Sequence, residues 1–367
     1  MTVPFVSLAE SNSEIKTQFL DSLSQLIDSG SFILGPAVQE FEKSFADYTG
    51  TKHAIGVSNG LDALTIALQS LKLQAGEEVI VPAHTYIATV LAVIHAGAKP
   101  VFADVDESSF NLTASEIEKH ITAKTKAIIP VHLYGQPCDM ESIGALAEQH
   151  KLYVIEDNAQ AQGATFNGKR TGSFGHINAT SFYPAKNLGA AGDAGAITTN
   201  DSALAERAMQ LRNMGSDKKY VHDVIGYNAR MDSVQALFLQ HKLPLLDKWN
   251  AERRRIAARY IQNLQGVEQI ILPSVIKDAE SVYHLFVIKT DNRDELQQFL
   301  SGKHIQTLIH YPVPNHLQKS LTHLGYGQNS FPVTEKLCST ILSLPMFVGL
   351  TDGQVDYVCE MIKEFFL

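Results

Sequence analysis

The chain has little of what holds small secreted proteins together: its 367 residues include three cysteines, Cys138, Cys338 and Cys359, and one tryptophan. Their number is odd, their spacing wide, and no CxxC pair occurs, so neither a disulfide framework nor a cysteine-rich zinc site organises it. Reduced, buried thiols are expected, as in a cytoplasmic protein. Positive charge is also short, with 30 Lys and Arg against 39 Asp and Glu, a net −9. Such a chain presents no general basic field, which argues against nucleic acid and anionic membrane as partners. Apolar runs such as "YIATVLAVIHAGA" are too short to span a bilayer. The opening "MTVPFVSLAESNSEIKTQF" lacks the basic start and apolar stretch of a signal peptide.

What is present is the composition of a globular protein, 45% hydrophobic and 19% charged, in a chain longer than one core usually fills. "SEIKTQFLDSLSQLIDSG" and "AVQEFEKSFADYTG" carry apolar residues at helical spacing, and each ends at glycine. From His53 to Asp157 strand-like runs ("HAIGVS", "EVIVPA", "KPVFADVD", "TKAIIPVHLYG", "LYVIED") alternate with helical ones. That rhythm predicts an α/β fold with a parallel sheet covered on both faces. Two further strand-like runs flank "SFYPAKNLGAAGDAGA", and a long helical stretch is interrupted at Pro244. A boundary there gives a large domain, residues 1–245, and a small α+β domain, residues 246–367, with "HLFVIKT" and "QTLIHY" as its strands.

"GATFNGKR" fits the GxxxxGK of a P-loop, but Arg170 stands where Ser or Thr would hold magnesium, and no helix follows. No GxGxxG dinucleotide fingerprint occurs, and nothing points to a metal. "VSNGLDALTIAL" passes from strand through Ser58, Asn59 and Gly60 into a helix, whose free first amides make an anion site. "YVIEDNAQAQGA" ends a strand in Glu156 and Asp157, and ligands of parallel sheets bind beyond such carboxyl ends. Lys186, set among small residues, reads alone as a solvated loop lysine. Together the three fit pyridoxal 5′-phosphate (PLP): a lysine for a Schiff base, an acid to keep a pyridinium nitrogen protonated, and a helix end for a phosphate. The lysine would act as covalent anchor and then as the base that moves protons. Tyr86, in "PAHTYIATV", could stack on the ring or belong to the core.

The motifs "SNGLDAL", "PAHTYIAT", "IEDNAQAQGA", "SFYPAKNLGAAGDAGAI" and "GYNARMDSVQA", in that order, resemble those of the DegT/DnrJ/EryC1/StrS sugar-nucleotide aminotransferases. The resemblance implies fold type I of PLP enzymes, a mostly parallel seven-stranded sheet, and a homodimer with active sites at the subunit interface. By the same resemblance Lys186 is the Schiff-base lysine, Asp157 the partner of the pyridine nitrogen, and Gln160 a contact to the phenolic oxygen. Tyr86 stacks on the ring, Gly60 and Leu61 lend amides and Ser181 a hydroxyl to the phosphate, and Asn228 reaches the phosphate in the partner's site. Relatives often carry Thr where this chain has Leu61. Lysine at 186 separates the chain from family dehydratases, which have histidine there.

The tail "NLGAAGDAGA" resembles members that aminate C-3 of a nucleotide-linked keto sugar. The implied reaction moves an amino group from L-glutamate to a dTDP-3-keto-6-deoxyhexose, ping-pong fashion. Amination at C-4, a UDP-linked acceptor, a PLP-binding regulatory protein without turnover, and a plain binding module are the alternatives. Candidate substrate contacts are Tyr183, Arg212, Lys218, Lys219, Tyr220, His310, Tyr311 and His316. Arg230 could hold the donor carboxylate or form a structural ion pair, and His132 is expected in the core or a loop.

Overall fold

In the computed structural model, which describes residues 1–367, seven strands build the main sheet. They are β1 (His53–Val57), β2 (Glu78–Pro82), β3 (Lys99–Ala103), β4 (Thr125–Ile128), β5 (Tyr153–Val154), β6 (Asn178–Ser181) and β7 (Gly195–Thr199). The spatial order is β3-β2-β4-β5-β6-β7-β1. Hydrogen bonds carry β5 on to Asp157, and Asn158 N–H to Ala179 O (2.8 Å) with Ala179 N–H to Glu156 O (2.9 Å) join it to β6. Only β7 runs antiparallel to its neighbours, so the seven-stranded, mostly parallel sheet that the family resemblance implies is present.

Helices of two turns or more in this part are α1 (Lys16–Ser29), α2 (Pro36–Thr49), α3 (Gly60–Ser70), α4 (Ala88–His95), α5 (Met140–His150), α6 (Ser202–Arg212), α7 (Ser233–Lys242) and α8 (Leu246–Leu264). The period-2 alternation of strand side chains distributes them over both faces. Ile55, Val57 and Ile197 pack with Leu64 and Leu68 of α3 in the main core. The alternate residue Ala196 faces Phe41 and Phe45 of α2 and Leu239 of α7. Fully buried Phe41, Phe45 and Phe182 meet there ring to ring, each contributing about 2–3 kcal/mol by leaving water. The rejected P-loop stretch is a hairpin, Thr165–Phe166 with Lys169–Arg170, turning at Asn167 and Gly168.

A second core lies around α8, β8 (Phe286–Lys289), α9 (Arg293–Gly302), β9 (Ile341–Leu344) and α11 (Asp352–Phe366). On α8, Ile256, Ala257, Tyr260 and Leu264 recur at helical spacing and point into it. Two features cross the boundary expected at residue 245. Val3 belongs to this second core, pairing with Ile305. Helix α10 (Pro332–Thr340) packs on the main core instead, its first amides, Val333 and Thr334, donating to Asp104 (2.9 Å each). Of the two small-domain strands expected, "HLFVIKT" forms β8, whereas "QTLIHY" makes only one bridge, Leu308 with Ser343. Beyond it Pro312 and Pro314 have no N–H to extend a ladder, and the chain turns over the cleft. The three thiols are buried and free, and burial pushes Cys338 and Cys359 up to about 12. No helix is long and apolar enough to cross a membrane.

Candidate active site

A cleft of about 730 Å³ opens where the carboxyl ends of the strands meet the second core, the place at which open α/β sheets bind ligands. Lys186 enters it from a tight loop between β6 and β7. Within that loop Lys186 N–H donates to Tyr183 O (2.8 Å) and Ala190 N–H to Phe182 O (2.8 Å). A side chain on Gly189 would stand 2.1 Å from Pro184 O, so only glycine fits the turn. Lys242 Nζ donates to Gly189 O (3.0 Å). Next to the lysine, Asn187 Nδ2 donates to Asn250 Oδ1 (2.8 Å) and Val282 O (3.0 Å), while its oxygen accepts from His284 Nδ1 (3.2 Å). The loop is therefore pinned on both sides of Lys186. Desolvation pushes the Lys186 amine down to about 8, against the opposing pull of Asp157.

Glu156 and Asp157 are neighbours on a strand and point opposite ways. Glu156 is buried away from the cleft, accepting from Gly172 N–H (2.8 Å), Phe174 N–H (2.6 Å), Gly175 N–H (2.8 Å) and His132 Nε2 (2.8 Å). It is a structural knot that closes the loop before β6, and His132 is part of it. Asp157 lines the cleft. Thr89 Oγ1 donates to its Oδ2 (2.8 Å) and Ala159 N–H to its Oδ1 (3.1 Å). Burial raises its pKa, while those donors and Lys186 pull the other way. Gln160 Oε1 accepts from Tyr134 N–H (2.8 Å), which fixes the amide orientation and turns Nε2 towards the Tyr311 hydroxyl (3.2 Å).

Opposite Lys186 is the N-terminus of α3. Asn59 caps it, accepting from Asp62 N–H (2.8 Å), while the Gly60 and Leu61 amides have no protein acceptor. A Cβ on Gly60 would lie 2.5 Å from Ser181 Cβ, so glycine lets the helix end and the Ser181 hydroxyl close on one small volume. Two free amides, a hydroxyl and the dipole of an eleven-residue helix fit a phosphate. With the lysine and the buried carboxylate in the same cleft, the donor set fits PLP. Tyr86 is 56% exposed at the mouth, its ring 5.5 Å from that of Tyr311. Tyr183, His310 and Tyr311 also line the cleft.

The other sequence candidates lie elsewhere. Asn228 is exposed and accepts from Arg230 Nη2 (2.7 Å), and Arg230 Nη1 donates to Asn213 (3.1 Å). Lys218, Lys219 and Tyr220 are exposed on the segment before them. None of these lines the cleft of its own chain. Two expectations need correction. Arg212 is buried, its Nη1 holds Glu42 and the Gly56 carbonyl (2.7 Å), and it does not line the cleft. His316 is 1% exposed, bonded to Glu335 (3.1 Å) and packed against Phe331. Arg212→Met should therefore destabilise the fold by about 3–5 kcal/mol, by stranding Glu42, and leave KM unchanged. Denaturant melts with steady-state kinetics check this, and a raised KM in a stable variant would return Arg212 to the binding site.

Sequence reading missed Thr89, Asn187, Tyr134 and His284. Thr89 carried a signal, standing three residues after Tyr86 in the same motif, and Asn187 another, as the neighbour of Lys186. Tyr134 and His284 reach the site only through tertiary contacts.

Comparison with known proteins gives the same picture. The chain is 46% identical to a dTDP-3-amino-3,6-dideoxy-alpha-D-galactopyranose transaminase of Aneurinibacillus thermoaerophilus, covering 99% of each. It is 45% identical to a protein of Geobacillus stearothermophilus named as a pleiotropic regulatory protein, over 100% of this chain and 99% of that one. Among solved structures, S. venezuelae DesV in complex with a ketimine intermediate superposes with a TM-score of 0.97 at 43% identity, covering 100% of this chain and 98% of the other. A Bacillus subtilis protein with bound cofactor PMP does so at 0.93 and 35%, covering 100% and 85%. The family model for DegT/DnrJ/EryC1/StrS aminotransferases matches residues 13–363, and with the lysine, the carboxylate and the phosphate cradle in one cleft, the chain belongs to that aminotransferase family.

Proposed function

We propose that this aminotransferase holds PLP on Lys186 and moves the amino group of L-glutamate to C-3 of a dTDP-3-keto-6-deoxyhexose, giving the 3-amino-3,6-dideoxy sugar. The observation that carries it is the meeting of Lys186, Asp157 and the free α3 amides in one cleft, in a chain 46% identical to a transaminase named for such a sugar. Bound there, PLP supplies the electron sink that makes the donor carbon acidic. The protein does the rest. Gly60 and Leu61 N–H and Ser181 O–H bind the phosphate. Asp157 holds the proton on the ring nitrogen, Gln160 Nε2 donates to the phenolic oxygen, and Tyr86 covers the ring. Lys186 Nζ would carry the proton from the donor carbon to the cofactor in the first half and from the cofactor to C-3 of the acceptor in the return half. Phe5, Val6, Leu308 and Met346 form an apolar wall of the cleft, suited to the methyl at C-6 and offering no cation to a uronic acid.

The working unit is a homodimer with shared sites. Lys186 is the one lysine or arginine lining this chain's cleft, beside Asp157 and Asp193, and burial keeps His310, at about 4, and His284 neutral. A cofactor phosphate and a diphosphate need more positive charge than that. Lys218, Lys219 and Arg230 stand outside, next to Tyr220 and Ile225, which are 83% and 97% exposed. Such apolar exposure suits a surface covered by a second copy, whose Lys219 and Asn228 would then complete the site. Incubation of the PLP-loaded enzyme with L-glutamate and separate keto sugars tests the function. Amination of the dTDP-3-keto sugar is expected. Turnover only of a 4-keto or UDP-linked sugar overturns the acceptor, and a visible absorption band that glutamate does not bleach favours a regulatory protein.

A further inference from the structure

Behind the cleft, groups from separate parts of the chain hydrogen bond in series. Cys338 Sγ, on α10, lies 3.7 Å from His84 Nδ1, and His84 Nε2 lies 2.9 Å from the Tyr134 hydroxyl. That hydroxyl donates to the main-chain carbonyl of His310. Cys338, His84 and Tyr134 are 3%, 2% and 5% exposed, so water does not compete. Counting protons fixes the direction of every bond. A carbonyl only accepts, so Tyr134 gives His310 its single proton. The hydroxyl can then only accept from His84, which places the hydrogen on Nε2. Burial keeps His84 neutral, at about 4, and the thiol protonated, at about 12, leaving Nδ1 bare to accept from Cys338.

The same tyrosine grips the other side of the cleft, since its N–H holds Gln160 Oε1 (2.8 Å) and so aims Gln160 at Tyr311 (3.2 Å). Tyr134 does not itself line the cleft. The far end of the His310–Asn315 segment is tied beside His84, by Asn315 Nδ2 to Thr85 O (2.8 Å).

We propose that Tyr134 is a positioning residue: its hydroxyl, oriented by the Nε2–H tautomer of His84, sets the His310–Tyr311 segment against Gln160 where the sugar nucleotide binds. This rests on the cleft being the site of amino transfer to a keto sugar. The test uses holoenzyme labelled with ¹⁵N-histidine, the His84 signals being assigned by their loss in His84→Gln. Wild-type protein shows His84 as the neutral Nε2–H tautomer from pH 8 to pH 6. Cys338→Ala keeps that tautomer, because the carbonyl end dictates it, whereas Tyr134→Phe releases it to a mixture. In the same Tyr134→Phe protein KM for the keto sugar rises about 10-fold, the effect of one buried hydrogen bond, while affinity for PLP is unchanged because the Tyr134 N–H remains. His84→Gln, which can still donate to Tyr134, keeps KM within about twofold of wild type, well inside the effect of losing that bond. An Nδ1–H or doubly protonated His84, an unaltered KM in Tyr134→Phe, or a fall in PLP affinity equal to the change in KM overturns the proposal. If wild-type enzyme aminates no keto sugar, the proposed function fails, and the tautomer arm still decides the ordering of the relay.

Discussion

Lys186→Ala lowers the rate of amino transfer by about 10⁴-fold or more, because one nitrogen anchors the cofactor and moves the proton. The variant keeps the phosphate cradle, Asp157 and Gln160, so it still binds PLP, without the covalent bond. Single-turnover kinetics with glutamate measure the loss, and thermal unfolding close to wild type separates it from misfolding. Ordinary turnover in this variant would remove Lys186 from the reaction. Its perturbed acidity adds a pH signature. Only the neutral amine captures PLP, and burial holds Lys186 at about 8. Capture by cofactor-free protein should then rise about tenfold per pH unit up to pH 8 and level off above it, whereas a lysine in water would keep rising past pH 10. Stability carries the same sign. The folded pKa lies below the unfolded one, the unfolded chain binds more protons between them, and the protein gains stability as pH climbs from 8 towards 10.5.

The chemistry at this site is legible in the sequence where it is local. Lys186, the capped start of α3 and Asp157 at a strand end each depend on a few adjacent residues, and strand–helix alternation alone locates two of them at the carboxyl edge of a sheet. Long-range pairings were not legible. Arg212, beside the basic stretch that ends in Tyr220, looks like a phosphate ligand until Glu42, 170 residues away in the chain, is found holding it. His316 looked equally free until folding placed Glu335 and Phe331 around it. Asp157 is singled out by its place at the strand end, but what Glu156 does is not legible, because its partners, the amides of Gly172, Phe174 and Gly175 and the ring of His132, come to it through the fold. The N-terminal residues read as part of the large domain because Val3 finds Ile305 through tertiary pairing alone.

Asp157→Asn tests the other half of the site, and its effects run in two directions. The substitution keeps the shape and removes the charge, so the ring nitrogen loses the partner that holds its proton. A charge-assisted bond of about 3 kcal/mol corresponds to roughly a 10²-fold fall in kcat. The lysine should respond the opposite way to what a general loss of structure would produce. Asp157 is the group that raises the Lys186 pKa against burial, so without it the amine is neutral at still lower pH. The PLP-capture profile of Asp157→Asn then levels off below pH 8 even as turnover collapses. Thr89→Val supplies the graded case. It takes one donor from Oδ2, which leaves the carboxylate charged but easier to protonate, and should cost about tenfold or less. A capture profile that stays at pH 8 in Asp157→Asn would show that Asp157 and Lys186 do not sense each other, and full kcat there would take Asp157 out of the site.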